Sequence, residues 1–487
     1  MKNLVLCVLA AFGLMGLKND CLAAEKAQPN IIIFLVDDLG SHDVGFAGGK
    51  EIPTPSIDAL AHDGMVLEQF YVMHVCSPTR AALMTGRHPI RYGLQTGVIR
   101  PNWAYGLALD ERLLSNALHD SGYTTAILGK WHLGMFTREY LPTSRGFDFQ
   151  YGNYCGAIDC FTKKRDAGYD WHRNDAVCRD EGYSTHQLTE EAIQWMEKAD
   201  PQKPLLLYVP YNAVHAPLQA PEKYHTPFAA LKGPRKNYAA MLAAVDESIG
   251  KIRSAADRLR GGENNIYFFS TDNGGPAPGK TTSNGILRAG KGTLYEGGLR
   301  SCAFMTWKGH IEAGKEEAEP LHIVDVYPTL LTLAGAKMEQ AHTLDGRSFA
   351  SLLLGNRTQW QTSLNNQPRP ILLNAEANRG ALRHGDWKIV IQRGNAAEGN
   401  GDDQPSTADN TPRRRNRQNG NAERMELYNL ANDPAEKNNL AEQQPAKLAE
   451  LLKYYRTFEG EAQPALAAAD KKQLPTPEVW GEWERTP

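Results

Sequence analysis

The sequence predicts an α/β fold: a doubly wound, mostly parallel sheet, followed by a smaller C-terminal α+β domain of antiparallel sheet plus helix. Three observations point there. From Asn30 to about Gly355, short, continuously apolar runs alternate with longer amphipathic stretches, the pattern of strands covered on both faces by helices. Beyond about residue 370 the alternation stops and short strand-like runs follow one another. The length, 487 residues, exceeds what one compact core organises, so a large and a small domain are expected.

The chain begins with Lys2, an apolar run from Leu4 to Leu17, and small residues at Cys21-Leu22-Ala23-Ala24. This reads as a secretory signal peptide over residues 1–24, too short and too poorly flanked for a membrane anchor. Lys18-Asn19-Asp20 lacks the small apolar residues that precede a lipid-modified cysteine, so Cys21 does not read as an anchor. The main domain is expected over 25–365. Its clearest strands are 31–36, 124–128, 205–209 and 266–269, and its helices 109–121, 184–198 and 236–258. The C-terminal domain, 366–487, shows strands at 379–383, 387–392 and 425–429, with a helix at 440–457 to pack on them. Between the last two strands, residues 394–422 are rich in Asn, Gly, Asp and Arg with almost no apolar side chain, which predicts a mobile loop. Its Arg413-Arg414-Arg415 run reads as a solvated face before it reads as a polymer contact.

A formal net charge of −3 is near neutral, which excludes bulk nucleic-acid binding and a polybasic membrane surface. No segment after the leader is apolar enough to span a bilayer, so no integral membrane segment is expected and the protein reads as exported, periplasmic or secreted. Removing the leader leaves Cys76, Cys155, Cys160, Cys178 and Cys302. An odd count in an exported protein flags one cysteine with another task. A local bridge among Cys155, Cys160 and Cys178 is expected, with connectivity open.

Ligands of open α/β sheets bind beyond the carboxyl ends of the strands. Four strand ends carry chemistry: Asp37-Asp38, Gly129-Lys130-Trp131-His132, His215-Ala216-Pro217 and Asp272-Asn273-Gly274-Gly275. One Asp-Asp pair alone reads as a turn or a helix cap. Two acidic strand ends together offer three carboxylates and an amide oxygen, hard ligation suited to calcium or magnesium rather than zinc. A lone Cys76 by itself reads as a core thiol or half a disulfide, and lone histidines more often pack than catalyse. Two histidines at the ends of buried strands beside metal ligands reverse that reading.

Cys76-Ser77-Pro78-Thr79-Arg80, continuing through Ala81-Ala82-Leu83-Met84-Thr85-Gly86-Arg87, resembles the type I sulfatase signature, in which Cys-x-Pro-x-Arg directs oxidation of the cysteine to formylglycine. The stretch Gly122-Tyr123-Thr124-Thr125-Ala126-Ile127-Leu128-Gly129-Lys130-Trp131-His132-Leu133-Gly134 resembles the second signature of that family. Asp43-Val44-Gly45-Phe46, Ile90-Arg91-Tyr92-Gly93-Leu94-Gln95, Leu141-Pro142-Thr143-Ser144-Arg145-Gly146-Phe147-Asp148 and Leu294-Tyr295-Glu296-Gly297-Gly298 look closest to the arylsulfatase B, or N-acetylgalactosamine-4-sulfatase, group. The likeness covers nearly the whole mature chain and departs at residues 150–185 and in the Asn-rich loop.

That resemblance implies an alkaline-phosphatase-like catalytic domain and hydrolysis of a sulfate ester on a sulfated carbohydrate, of 4-O-sulfated galactose or N-acetylgalactosamine type. A formylglycine-generating enzyme would mature Cys76. Asp37, Asp38, Asp272 and Asn273, with modified Cys76, would hold Ca2+ (Mg2+ also fits the ligand types). Arg80 would fix the formylglycine hydrate, Lys130 and Lys291 would bind sulfate oxygens, His215 would protonate the leaving oxygen, and His132 would take the proton that releases sulfate. Arg100, Asn102 and Trp103 are candidates for the substrate pocket, where Trp103 can stack on a sugar or pack in the core; His42, beside the acidic pair, is another. A phosphonate or phosphodiester hydrolase of the same fold and a catalytically silent carbohydrate-binding relative are the rival readings.

Overall fold

The computed structural model describes residues 28–393, 423–469 and 474–482. The signal peptide expected over 1–24 and the loop expected over 394–422 lie outside the described residues. At the centre stands a ten-stranded mixed sheet. Its edge-to-edge order is Lys315–Glu317, Met65–Leu67, Phe304–Trp307, Asn265–Thr271, Asn30–Val36, Leu205–Pro210, Thr124–Lys130, Phe149–Asn153, His172–Arg173 and Ala176–Val177. The five strands from Asn265–Thr271 to Phe149–Asn153 run parallel, in registers such as Phe34 opposite both Val209 and Phe269.

The apolar composition of Asn30–Val36 follows from its place in the middle. Successive side chains of a strand point to opposite faces. Ile31, Ile33 and Leu35 enter a core shared with Cys76–Thr85, Leu114–His119 and Val326–Ala334. Ile32, Phe34 and Val36 enter another, shared with Pro55–His62, Ser184–Lys198 and Gly233–Arg260. All seven residues of the strand are buried. The sequence placed the four central strands and the helix Ser184–Lys198 where they are.

Two expectations need correction. The helix read over 109–121 is only Leu114–His119. Leu109 is exposed, and the Leu113 amide donates to Asn116 Oδ1 as a cap, so the helix starts there. The expected local disulfide is absent: the five cysteines among the described residues are free. Cys155 lies in the core on one face of the sheet and Cys160 in the other. Cys160 pairs with Ser184 and Cys178 with Asp180, so these two thiols turn to different partners.

The C-terminal part is a four-stranded antiparallel sheet, Pro370–Ala375, Arg379–His384, Trp387–Arg393 and Glu423–Asn429. Its first strand was not foreseen. The helix Pro445–Gly460 covers one face through Leu451 and Tyr455, which meet Leu372, Leu382, Ile389 and Leu427. The other face, through Ile371, Leu373, Ala381 and Val390, packs on Tyr71, Leu294 and Leu299 of the main part. Among the described residues no helix is long and apolar enough to cross a membrane.

Candidate active site

The four strand ends meet. Asp37 and Asp38 follow Asn30–Val36, and Asp272 and Asn273 follow the neighbouring parallel strand Asn265–Thr271, so the sheet register sets them side by side. The Asp38 amide lies 3.3 Å from Asp272 Oδ1, and Asp38 sits at φ 61°. Cys76 opens the helix Cys76–Thr85, all ten residues of which are buried. Its Sγ lies 3.4 Å from both Asp37 Oδ1 and Asn273 Oδ1. Ligand atoms of Asp37, Asp38, Cys76 and Asp272 all fall within 4.8 Å of one another.

Three cations face these carboxylates. Arg80 lies one helical turn beyond Cys76 and so points to the same place. Its Nη2 and Nε donate to Asp272 Oδ2 at 2.7 and 3.1 Å, and its Nη1 donates to the Lys130 carbonyl at 3.1 Å. Lys130 Nζ is 2.7 Å from Asp37 Oδ2, and Lys291 Nζ is 2.7 Å from Asp38 Oδ1. Asn273 Nδ2 donates to Asp38 Oδ1 at 2.7 Å, which turns its Oδ1 towards Cys76.

Electrostatics follow from burial and sign. Burial foremost, with repulsion from Asp272, pushes the Asp37 carboxyl up to about 6 against the pull of Lys130, His215 and Arg80. Burial also acts on Asp272, yet Arg80, Lys130 and Lys291 outweigh it and hold that carboxyl well below the usual range. Burial, with Asp272 and Asp37, pushes the Cys76 thiol well up. Such a thiol stays protonated and is a poor nucleophile as it stands.

Both histidines are oriented by carbonyls. His215 Nδ1 lies 2.6 Å from the Ala216 carbonyl and its Nε2 is 3.6 Å from Asp38 Oδ2. His132 Nε2 lies 3.0 Å from the Ile99 carbonyl. A carbonyl can only accept, so Nδ1 of His215 and Nε2 of His132 carry protons in the neutral rings. The Ile99 amide in turn donates to Ser77 Oγ, and Val98 packs on Cys76, so the segment leading to Arg100, Asn102 and Trp103 borders the site. Trp103 packs on the core with Tyr105 beside it, and the Arg100 guanidinium lies 5.0 Å from its ring centroid. His42 is half-buried in a cavity of about 600 Å³ shared with Arg235 and Asn284.

Sequence reasoning missed a group from the C-terminal sheet. Asn374, Glu376 and Arg379 surround His74, two residues before Cys76. One signal was available: Asn374 interrupts the otherwise apolar run 370–375, and such a buried amide needs partners.

The sulfatase family profile matches residues 29–336. Arylsulfatase J of Mus musculus is 35% identical over 486 residues, covering 94% of this chain and 81% of that protein. N-acetylgalactosamine-6-sulfatase of Mus musculus is 34% identical over 374 residues, 72% of this chain and 70% of its own. The solved structure of Ps i-CgsB in complex with k-i-k-neocarrahexaose superposes with a TM-score of 0.76 at 32% identity, covering 90% of this chain and 94% of that one.

Proposed function

The chain belongs to the type I sulfatase family, hydrolases of sulfuric esters, and from that premise we propose that it desulfates a carbohydrate at a 4-O-sulfated galactose or N-acetylgalactosamine unit, using formylglycine formed from Cys76. The observation that carries the sulfate-ester part of this reading is the buried meeting of Cys76 with three carboxylates and three cations; the 4-O position rests on the sequence likeness to the arylsulfatase B group. Asp37, Asp38 and Asp272 balance Arg80, Lys130 and Lys291. A divalent cation added to that balance leaves two positive charges to receive the oxygens of a sulfate ester.

The donor set fits such an ion. Three carboxylates and the Asn273 amide oxygen suit calcium, with magnesium as the alternative. The Cys76 sulfur is the one soft donor among them, and conversion to formylglycine replaces it with oxygen. When bound, the ion supplies Lewis-acid stabilisation of charge on sulfate oxygen. Hydrated formylglycine would offer two hydroxyls at position 76, one to attack sulfur and the other to expel sulfate afterwards. A formylglycine-generating enzyme is therefore a required partner.

Arg80 fixes position 76 relative to Asp272. Lys130 and Lys291 hold sulfate oxygens. His215 would act as the doubly protonated ring: Nδ1–H stays on the Ala216 carbonyl, while Nε2–H, near Asp38 Oδ2, passes its proton to the leaving alcohol and leaves the ring neutral. His132, tied through Nε2 to the Ile99 carbonyl, keeps Nδ1 to accept the proton of the second hydroxyl. Arg100, Asn102 and Trp103 would meet the neighbouring sugar. Export through the leader at 1–24 suits a substrate that is an extracellular polysaccharide.

The test is to co-express the protein with the generating enzyme and supply oligosaccharides sulfated at 4-O or 6-O, with a phosphodiester in parallel. The expected results are a hydrazide-reactive aldehyde at position 76 and loss of the 4-O-sulfate by NMR. Turnover by protein that keeps an intact Cys76 thiol, or preferential phosphodiester cleavage, would overturn the proposal.

A further inference from the structure

We propose that Arg379, delivered by the C-terminal sheet, is a positioning residue of the sulfate site: it straps the segment before Cys76 to the segment that carries Lys291. Arg379 opens the strand Arg379–His384, yet its side chain reaches into the main part. Nη1 donates to the Gly292 carbonyl at 2.7 Å, next to Lys291. Nη2 lies 2.9 Å from His74 Nε2. Arginine has no lone pair to offer, so that imidazole nitrogen accepts. The loop closes on itself, because the Gly292 amide donates to the His74 carbonyl at 2.8 Å.

The guanidinium is itself held. Nε donates to Glu376 Oε1 at 2.9 Å, and the same oxygen accepts from Asn374 Nδ2 at 2.7 Å. Asn374 Nδ2 also lies 3.1 Å from the Gln95 carbonyl. His74 and Glu376 are buried, and the Arg379 side chain is 13% exposed, so water competes little for these bonds. The fork thus has three fixed ends: one on each side of the sulfate site, and one on its own sheet.

Lysine is a point charge on a flexible stem, and the backbone that carries it decides where that charge falls. Fixing residues 74 and 292 together sets the distance between position 76 and the Lys291 ammonium. Docking of the C-terminal sheet does not depend on this strap, since Ile371, Leu373, Ala381 and Val390 bury against Tyr71, Leu294 and Leu299 without it.

This proposal rests on the sulfatase reading of Cys76 and Lys291, and the experiment separates the two. Wild type, Arg379→Ala and Arg379→Lys are compared for hydrolysis of an aryl sulfate, inhibition by inorganic sulfate, aldehyde content at position 76 and thermal midpoint. Arg379→Ala is expected to lose about 10–100-fold in kcat/KM and to bind inorganic sulfate more weakly, with aldehyde content near wild type and a lowered midpoint, because Glu376 loses its buried partner. Arg379→Lys, able to reach only one of the two partners, is expected to recover part of both losses. A fall in midpoint with an unchanged sulfate inhibition constant would make Arg379 a structural tie only, and unchanged kinetics would remove it from the site. Failure of the underlying reading would show in the wild type instead, as no turnover of any sulfate ester.

Discussion

At the scale of single residues, the two histidines make separable predictions. If His215 protonates the leaving oxygen, His215→Ala should lose roughly 10²–10⁴-fold on a sugar sulfate, the usual worth of general-acid help. It should lose clearly less on a nitrophenyl sulfate, whose leaving group scarcely needs the proton. His132→Ala should accumulate a sulfated enzyme with either substrate, read by intact mass. Equal losses for His215→Ala on both substrates, with trapping in that variant, would exchange the roles. These positions were legible because a strand's carboxyl end can be read from one short window. His74 and Arg379 were not, since their contact joins residues 305 positions apart and exists only once the C-terminal sheet has docked.

At the scale of elements, the site depends on how closely two backbones approach. A Cβ at Gly274 would stand 1.8 Å from the Gly297 carbonyl oxygen, and the Gly274 amide donates to the Gly298 carbonyl at 3.1 Å. Gly274→Ala must therefore push the Asp272-Asn273 strand end away from the turn that leads to Leu299. The expected cost is about 1–3 kcal/mol of stability, as for overpacking in a filled core, with a parallel fall in affinity for the proposed calcium ion. Thermal unfolding with and without calcium reads both, and an unshifted midpoint in each condition would show that the two segments can part freely. Elements differed in how readable they were. The central strands are continuous apolar runs and announced themselves, whereas Pro370–Ala375 begins on Pro370 and carries Asn374, so its pattern broke where its contacts lie.

At the scale of the whole molecule, the two parts share a buried charge cluster. Lys388 Nζ lies 2.9 Å from Glu296 Oε1 of the main part and 2.8 Å from Glu436 Oε1. Lys388→Ala leaves two buried carboxylates facing each other and should cost about 3–5 kcal/mol, measured by denaturant unfolding. Burial above all, with repulsion from Glu296 and against the pull of Lys388, pushes the Glu436 carboxyl up from 4.5 to about 7. A carboxyl raised in the folded state stabilises the fold while protonated. Its contribution is complete below the unfolded value and is lost as pH rises through about 7. Thermal midpoints of wild type should therefore fall across that interval more steeply than those of Glu436→Gln, and identical slopes would assign the titration elsewhere. The burial of Cys76 has a different kind of consequence, one of timing. An enzyme that must oxidise this thiol cannot reach it once Asn273, just beyond the strand Asn265–Thr271, has closed over the start of the helix. Cys76 and Asn273 are 197 positions apart in the chain. At about 5–20 residues per second, roughly 10–40 s of synthesis separate their emergence. The proposed modification thus runs against a clock set by the ribosome and by folding, and a chain that closes early keeps its thiol for good.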